Sequence, residues 1–355
     1  MTAANLNANP VLVHALRGGI VESAHRGAVA IVDADGTVHT ALGDIDRPIF
    51  PRSAIKVLQA LPLVESGAAD AYGLSNEELA LACASHGGEP MHVATAASML
   101  AKAGLDAAAL ECGVHWPYHD GSLKALAAAG KTPSALHNNC SGKHAGFVCL
   151  GCMLTGRNDA DARRGFVKGY RAPEHAVMRE VTAAIQATTG WDLATTAVGT
   201  DGCSIPTYAI PLRHLALAFA RVATGVGLRD GHAKAAHRLR QAVAKAPQMV
   251  AGSGRFDSNV MARFSERLFC KVGAEGVHCA ALPELGLGVA IKMDDGNTAR
   301  ACEVAQAAVV QALLKRLSDD EQTTLAAMSD IALVNWNGVE VGRLQAAPAL
   351  RALAS

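Results

Sequence analysis

Ser53-Ala-Ile-Lys56 sets a hydroxyl and an amine three residues apart, where a strand-rich start of the chain gives way to helix-forming sequence. On a helix that spacing brings both side chains to one face, with Cβ atoms about 5–6 Å apart. A lysine held neutral there can take the serine's proton and turn the hydroxyl into a nucleophile. Arg52 directly precedes the pair, Ser85 follows about one helix later, and Lys271 comes late in the chain. Two lysines in one pocket repel, so one can be driven toward neutrality as a base while the other stays protonated and supports developing negative charge. Ser85 would relay a proton to a leaving group. The plainer reading makes Ser53 a helix cap, Lys56 a solvated side chain and Ser85 a loop residue.

Two polar knots follow. Asn138-Asn-Cys140-Ser-Gly-Lys143-His144 stands just before an apolar helix, and Gly199-Thr-Asp201-Gly-Cys203-Ser-Ile-Pro206 has a glycine on each side of its acid. Two thiolates with one further donor suit zinc, which favours soft sulfur and a four-ligand shell. Lys143 must be neutral to coordinate, so His144 or His137 is the more conventional third donor. Against a metal, neither Cys140 nor Cys203 has a CxxC partner, and both suit buried positions in turn-rich sequence. Cys149-Leu-Gly-Cys152 does fit CxxC, but its place in the apolar run Phe147–Leu154 makes it core. Ser141-Gly-Lys143 lacks the upstream glycine of a phosphate loop, and Asp294-Asp295-Gly296 reads as a turn.

The elements that must carry these groups come in a simple order. Val11–Leu16, Ala28–Asp33 and Thr37–Leu42 read as strands, the last two joined by a turn at Asp35-Gly36. Ala54–Val64, Asn76–Cys83, His92–Ala103, Leu123–Ala129, Lys143–Leu154, Glu174–Thr188, Leu212–Val222 and His232–Ala246 read as helices, with a capping box at Ser75 and Glu78. Leu268–Gly273, Val277–Leu282 and Leu287–Met293 return to strands. A helix over Ala299–Leu317 and a last strand over Gly338–Gly342 complete the chain. This order predicts an α+β protein: residues 1–52 and 268–355 form a sheet lobe, and residues 53–267 form a mainly helical one.

The chain has 355 residues, half of them hydrophobic, with 32 basic and 32 acidic side chains. Balanced charge gives no general attraction to nucleic acid or an anionic membrane. No apolar run approaches the roughly 20 residues of a membrane span. Met1–Pro10 has neither the basic segment nor the apolar core of a secretory leader. Nine cysteines, an odd number, do not form a disulfide framework, and a reducing cytoplasm is expected.

Taken in order, Arg17-Gly-Gly-Ile-Val-Glu-Ser-Ala-His-Arg26, Arg52-Ser-Ala-Ile-Lys56, Cys83-Ala-Ser-His86, Cys112-Gly-Val-His115, Asn139-Cys-Ser-Gly-Lys-His144, Gly199-Thr-Asp-Gly-Cys203 and Met249-Val-Ala-Gly252 carry a resemblance. The set resembles the Rhizobium etli-type L-asparaginases over about Arg17 to Gly296. The resemblance implies a fold like that of serine β-lactamases and glutaminases, an antiparallel sheet flanked by helices plus a mainly helical lobe. It implies a homodimer that hydrolyses L-asparagine to L-aspartate and ammonia. It also implies Ser53 as nucleophile, Lys56 as its base, and Ser85 with Lys271 as a second Ser-Lys pair. Substrate contacts fall to Arg52, His86 and Asp201, and zinc ligands to Cys140, Lys143 and Cys203. One departure stands out: some relatives carry a further cysteine where this chain has Asp257, a harder oxygen donor that weakens the expectation of tight zinc binding.

A glutaminase or another serine amidohydrolase would use the same machinery, because one methylene in a substrate is worth only about 1–3 kcal/mol. A non-catalytic, zinc-stabilised binding protein is the reading from a different class. The presence of Ser53, Lys56, Ser85 and Lys271 together speaks against it, and ammonia release from small amides separates the two.

Overall fold

The computed structural model describes residues 9–354, so the stretch read above for a leader lies outside the described residues as far as residue 8. The chain forms two compact units. One takes the chain up to Ala54, Ile210–Ala220 and everything from Cys270 onward; the other takes Ile55–Ala209 and Arg221–Phe269. The first is built on an antiparallel sheet and the second mainly on helices, which makes the protein α+β.

The sheet runs in the order Asp330–Val334, Glu340–Ala346, Val11–Arg17, Ile20–Asp33, Leu287–Met293, Val277–Leu282 and Phe269–Gly273, with Val38–Leu42 pairing to Ile20–Asp33. Ile20–Asp33 is long enough to serve two partners on one side. Its first part pairs with Val11–Arg17; its second pairs with Leu287–Met293 on one edge and Val38–Leu42 on the other, all antiparallel. Ala28–Val32 and Val277–Leu282 are buried at every position. Continuous rather than alternating burial means that the middle of the sheet is covered on both faces, and these runs of Val, Ile, Ala and Leu suit such a place.

One cover is the start of helix Leu212–Thr224. A Cβ on Gly288 would lie 2.0 Å from the Ala216 carbonyl oxygen and 2.3 Å from the Ala220 nitrogen, so only glycine lets that helix cross the strand. This packing, with the short pair Pro48–Ile49 and Ile210–Pro211, explains why Ile210–Ala220 belongs with the sheet although the sequence order sets it in the helical middle. Helix Glu303–Leu313 packs on Val11–Arg17, Glu340–Ala346 and helix Asp319–Ser329. The single helix expected over Ala299–Leu317 is therefore shorter, and Asp319–Ser329 is a separate helix begun by a capping box of Ser318 and Glu321. The last strand starts at Glu340, because Gly338, at φ +77°, belongs to the preceding turn.

In the second unit, helix Ser141–Leu154 is buried at every residue from Ser141 to Cys152. It is apolar around its whole circumference, the signature of a helix enclosed by others. Lys56–Glu65, Asn76–Ala82, Pro90–Lys102 and Ala176–Thr189 surround it. A Cβ on Gly142 would meet the Leu81 carbonyl oxygen at 2.4 Å, so Asn76–Ala82 lies directly on its first turn. Ser75 caps that neighbour as read, accepting from the Glu78 N–H while the Glu78 carboxylate accepts from the Ser75 N–H at 2.7 Å. Cys149 and Cys152 sit within the enclosed helix, buried and with free thiols. Among the described residues no helix is long and apolar enough to cross a membrane.

Candidate active site

Ser53 and Lys271 belong to the sheet unit. Ser53 lies in a tight turn, Arg52–Ile55, that runs straight into helix Lys56–Glu65. Arg52 has φ +52°, a left-handed conformation that costs a non-glycine residue on the order of 1–3 kcal/mol and is concentrated at functional sites. Strand Phe269–Gly273 presses on this turn: a Cβ on Gly273 would be 2.5 Å from the Pro51 carbonyl oxygen and 3.1 Å from the Ala54 nitrogen. Lys271 is two residues back on that strand, fully buried, with Nζ donating to the Val272 carbonyl at 2.7 Å. Cys270 and His278 are buried on neighbouring strands of the same sheet.

The helical unit gathers Lys56, Ser85, Cys140, Lys143 and Cys203. Lys56 is fully buried, which removes its plain reading as a solvated side chain. Its Nζ donates to Ser85 Oγ at 2.9 Å, to Cys140 Sγ at 3.1 Å and to the Ala84 carbonyl. Three acceptors compensate for the loss of water, which would otherwise cost a buried amine several kcal/mol. Lys143, one turn into the central helix, donates to Cys203 Sγ at 3.0 Å and passes over the Phe147 ring.

The two sulfurs share a proton unequally. A hydrogen bond from the Cys203 thiol lowers Cys140 most, with Lys56 and Lys143 adding to it, so that despite burial Cys140 is held as thiolate well below the ordinary thiol range. Cys203 is pushed up by the same hydrogen bond and by burial. Burial disfavours a charge on Lys143, but the Cys203 and Cys140 sulfurs outweigh it and hold Lys143 protonated above its usual range. At Cys112 burial, with the Cys140 sulfur adding to it, outweighs Lys143 and Lys56 and pushes the thiol up to about 12.

Local chemistry fixes these positions. Cys203 is carried on a turn in which Asp201 Oδ1 accepts from the Gly202 N–H and the Asp201 carbonyl accepts from the Ser204 N–H, with Ser204 left-handed at φ +72°. On the other knot Asn138 Oδ1 accepts from the Cys140 N–H at 2.8 Å, and its amide donates to the Cys112 and Gly113 carbonyls. His86 is completely buried, with Nδ1 accepting from the Gly88 N–H and Nε2 donating to Ser141 Oγ. His144 Nδ1 bonds to Tyr170 Oη and His137 Nδ1 accepts from the Ser134 N–H. Asp257 is buried on helix Phe256–Phe264.

A family model described as L-asparaginase II matches residues 13–346. The chain belongs to the L-asparaginase II family. It is therefore an enzyme, an amidohydrolase of the asparaginase type, and its substrate is a small molecule. No curated protein matches the sequence closely enough to count as a relative. Among solved structures, Mglu in its native form is 18% identical with a TM-score of 0.36, covering 88% of this chain and 71% of that one. A β-lactamase from Mycobacterium bovis is 15% identical with a TM-score of 0.38, covering 81% and 95%. Likenesses at that level carry no argument about this chain.

Sequence reasoning kept the Ser-Lys group and the cysteine knots apart; the contact of Lys56 with Cys140 joins them. It also missed Glu89, whose carboxylate grips Ser253 through the backbone N–H at 2.8 Å and Oγ at 2.7 Å. Glu89-Pro90 at a helix start was the available signal, since a carboxylate at the N-cap with proline next marks such a start.

Proposed function

We propose that this chain is an L-asparaginase, acting through Ser53 as nucleophile. The observation that carries the reading is Lys56, a fully buried amine held 2.9 Å from Ser85 Oγ in a member of an asparaginase family. Ser53 Oγ attacks the side-chain amide carbon of asparagine, and Lys56, acting as a neutral amine after giving up one of its three donated protons, takes the hydroxyl proton. The tetrahedral oxyanion is met by the backbone N–H at the Ser53 turn and by the charge of Lys271. The C–N bond breaks as a proton passes from Lys56 through Ser85 to the departing nitrogen, releasing ammonia. Water then cleaves the ester on Ser53, giving aspartate and restoring the hydroxyl. Arg52 and Asp201 hold the charged ends of the amino acid, and His86 supports the site from behind Ser85.

Cys140, Lys143 and Cys203 are a donor set that fits zinc: two buried sulfurs, one already a thiolate, with a buried amine on the other. Those three residues would hold it, and it would supply orientation for the substrate's polar groups. Binding requires the Cys203 and Lys143 protons to leave. Nine cysteines, an odd number, support a reducing, cytoplasmic setting, and kinship supports a homodimer.

The test is ammonia release from L-asparagine, joined to mass-spectrometric mapping of the adduct formed with a slow amide analogue. Turnover with the adduct on Ser53 is expected. Attachment at any other residue would end the proposal.

A further inference from the structure

We infer that His86 is a positioning residue that, through Ser141, holds Ser85 and Cys140 in register on the two sides of Lys56. The inference rests on the proposed role of Lys56 and Ser85 and gives His86, expected above as a substrate contact, a positioning role instead, in keeping with its complete burial.

The hydrogen-bond directions around His86 are fully determined. The Gly88 N–H donates to Nδ1 at 3.1 Å, so the imidazole proton must be on Nε2. Nε2–H then donates to Ser141 Oγ at 2.9 Å, and the Ser141 hydroxyl donates in turn to the Leu136 carbonyl at 2.9 Å. Burial holds the ring neutral, well below its usual pKa, so the tautomer is not disturbed by protonation. The ring also stacks on His92 at 4.7 Å between centroids. His92 is fixed by the same logic, with Nδ1 accepting from the Glu89 N–H and Nε2 donating to the Gln248 carbonyl.

What this chain of bonds connects gives it a catalytic consequence. His86 follows Ser85 directly, and Ser141 follows Cys140 directly. Ser85 Oγ and Cys140 Sγ are both acceptors of Lys56 Nζ, at 2.9 Å and 3.1 Å. The His86–Ser141 bond is thus a side-chain bridge between the two segments whose spacing sets the direction of the Lys56 amine. The backbone bond from the His86 N–H to the Asn139 carbonyl, at 3.2 Å, spans the same gap, and the side-chain bond at 2.9 Å is the shorter link. Misplacing a reacting group by about 1 Å can cost on the order of 10²-fold in rate.

Two substitutions divide the ring's functions. His86→Asn keeps an acceptor near the Nδ1 position for Gly88 and loses the donor to Ser141. His86→Gln keeps a donor near the Nε2 position and loses the acceptor. The bridge predicts a fall in kcat for asparagine of roughly 10–100-fold in His86→Asn with KM within about threefold, and recovery of most of that loss in His86→Gln. Ser141→Ala should repeat the His86→Asn effect, and the double variant should be no worse than either single one. Folded His86→Asn with the wild-type kcat, equal losses in the Asn and Gln variants, or additive losses in the double variant would each overturn the inference. If His86→Asn does not fold, Ser141→Ala decides alone. The bridge is also read without substrate: the imidazole ¹⁵N spectrum of the wild type should show His86 protonated on Nε2, and protonation on Nδ1 overturns it. Wild type that leaves asparagine intact while showing the Nε2–H tautomer would sink the proposed function and spare the bridge.

Discussion

The amine of Lys56 rests 3.1 Å from the sulfur of Cys140. That contact makes the proposed base and the proposed metal donors parts of one electrostatic unit. Cys140 is held low in part because Lys56 faces it. Cys140→Ser therefore removes a charge from that unit. Metal content should fall, the thiolate absorbance expected of the wild type at neutral pH should be missing, and KM should rise more than kcat falls. Metal analysis with steady-state kinetics checks this. Wild-type metal content and KM in a folded Cys140→Ser variant would separate the sulfur from the site.

Ser53→Ala takes away one oxygen at a turn whose geometry is set by backbone, with Arg52 already left-handed before it. The fold should survive with Tm close to that of the wild type. Hydrolysis should drop by on the order of 10³-fold or more, as for loss of a nucleophile elsewhere. Residual activity near the wild-type level would mean that another group attacks.

How much of this was open to sequence reading depended on range. Ser75 with Glu78 announced a helix start because a capping box is local chemistry, and Val277–Leu282 announced a strand because a short, mostly apolar run lies between turn residues there. Helix Asp319–Ser329 carries the same type of signal in Ser318 and Glu321 but was missed, since its weak apolar periodicity left the segment after Leu317 unassigned. The pairing of Lys143 with Cys203, sixty residues apart, depends on tertiary packing that no spacing rule encodes. Burial was the other blind spot. Nothing local distinguishes Lys56, Lys143 and Lys271, all nearly or fully buried, from the solvated lysines elsewhere.

Buried lysines also set the next expectation. Lys271 is fully enclosed on Phe269–Gly273, and Lys271→Met is close in volume, so packing should be retained while the charge is lost. General acid–base and charge-stabilising groups typically contribute about 10²–10⁴-fold, and kcat should fall within that range. The same change at Lys56 should do at least as much, because it strips Ser85 and Cys140 of a shared donor. Single-turnover acylation separates the two. Lys56→Met should block formation of the Ser53 adduct, whereas a Lys271→Met variant acylating at full rate would exclude Lys271 from that step.

The sulfur pair gives the metal-free protein a pH signature whose sign is fixed. Cys140 is depressed in the folded state, so its stabilisation is present above the unfolded thiol value, about 8.5, and is lost as pH falls through the folded value. Cys203 is raised, so its contribution is whole below about 8.5 and is lost as pH rises toward the folded value. Lys143, also raised, follows the Cys203 pattern from about 10.4 upward. Together these predict a stability maximum for the pair near the ordinary thiol pKa, with limbs of up to about 1.4 kcal/mol per pH unit for each proton. Urea unfolding across pH, taken as the difference between wild type and variant, isolates the limbs. Cys140→Ser should flatten the acid side and Cys203→Ser the alkaline side. Parallel curves in all three proteins would show that neither sulfur changes its proton affinity on folding, and the shared proton between Cys140 and Cys203 would have to be abandoned.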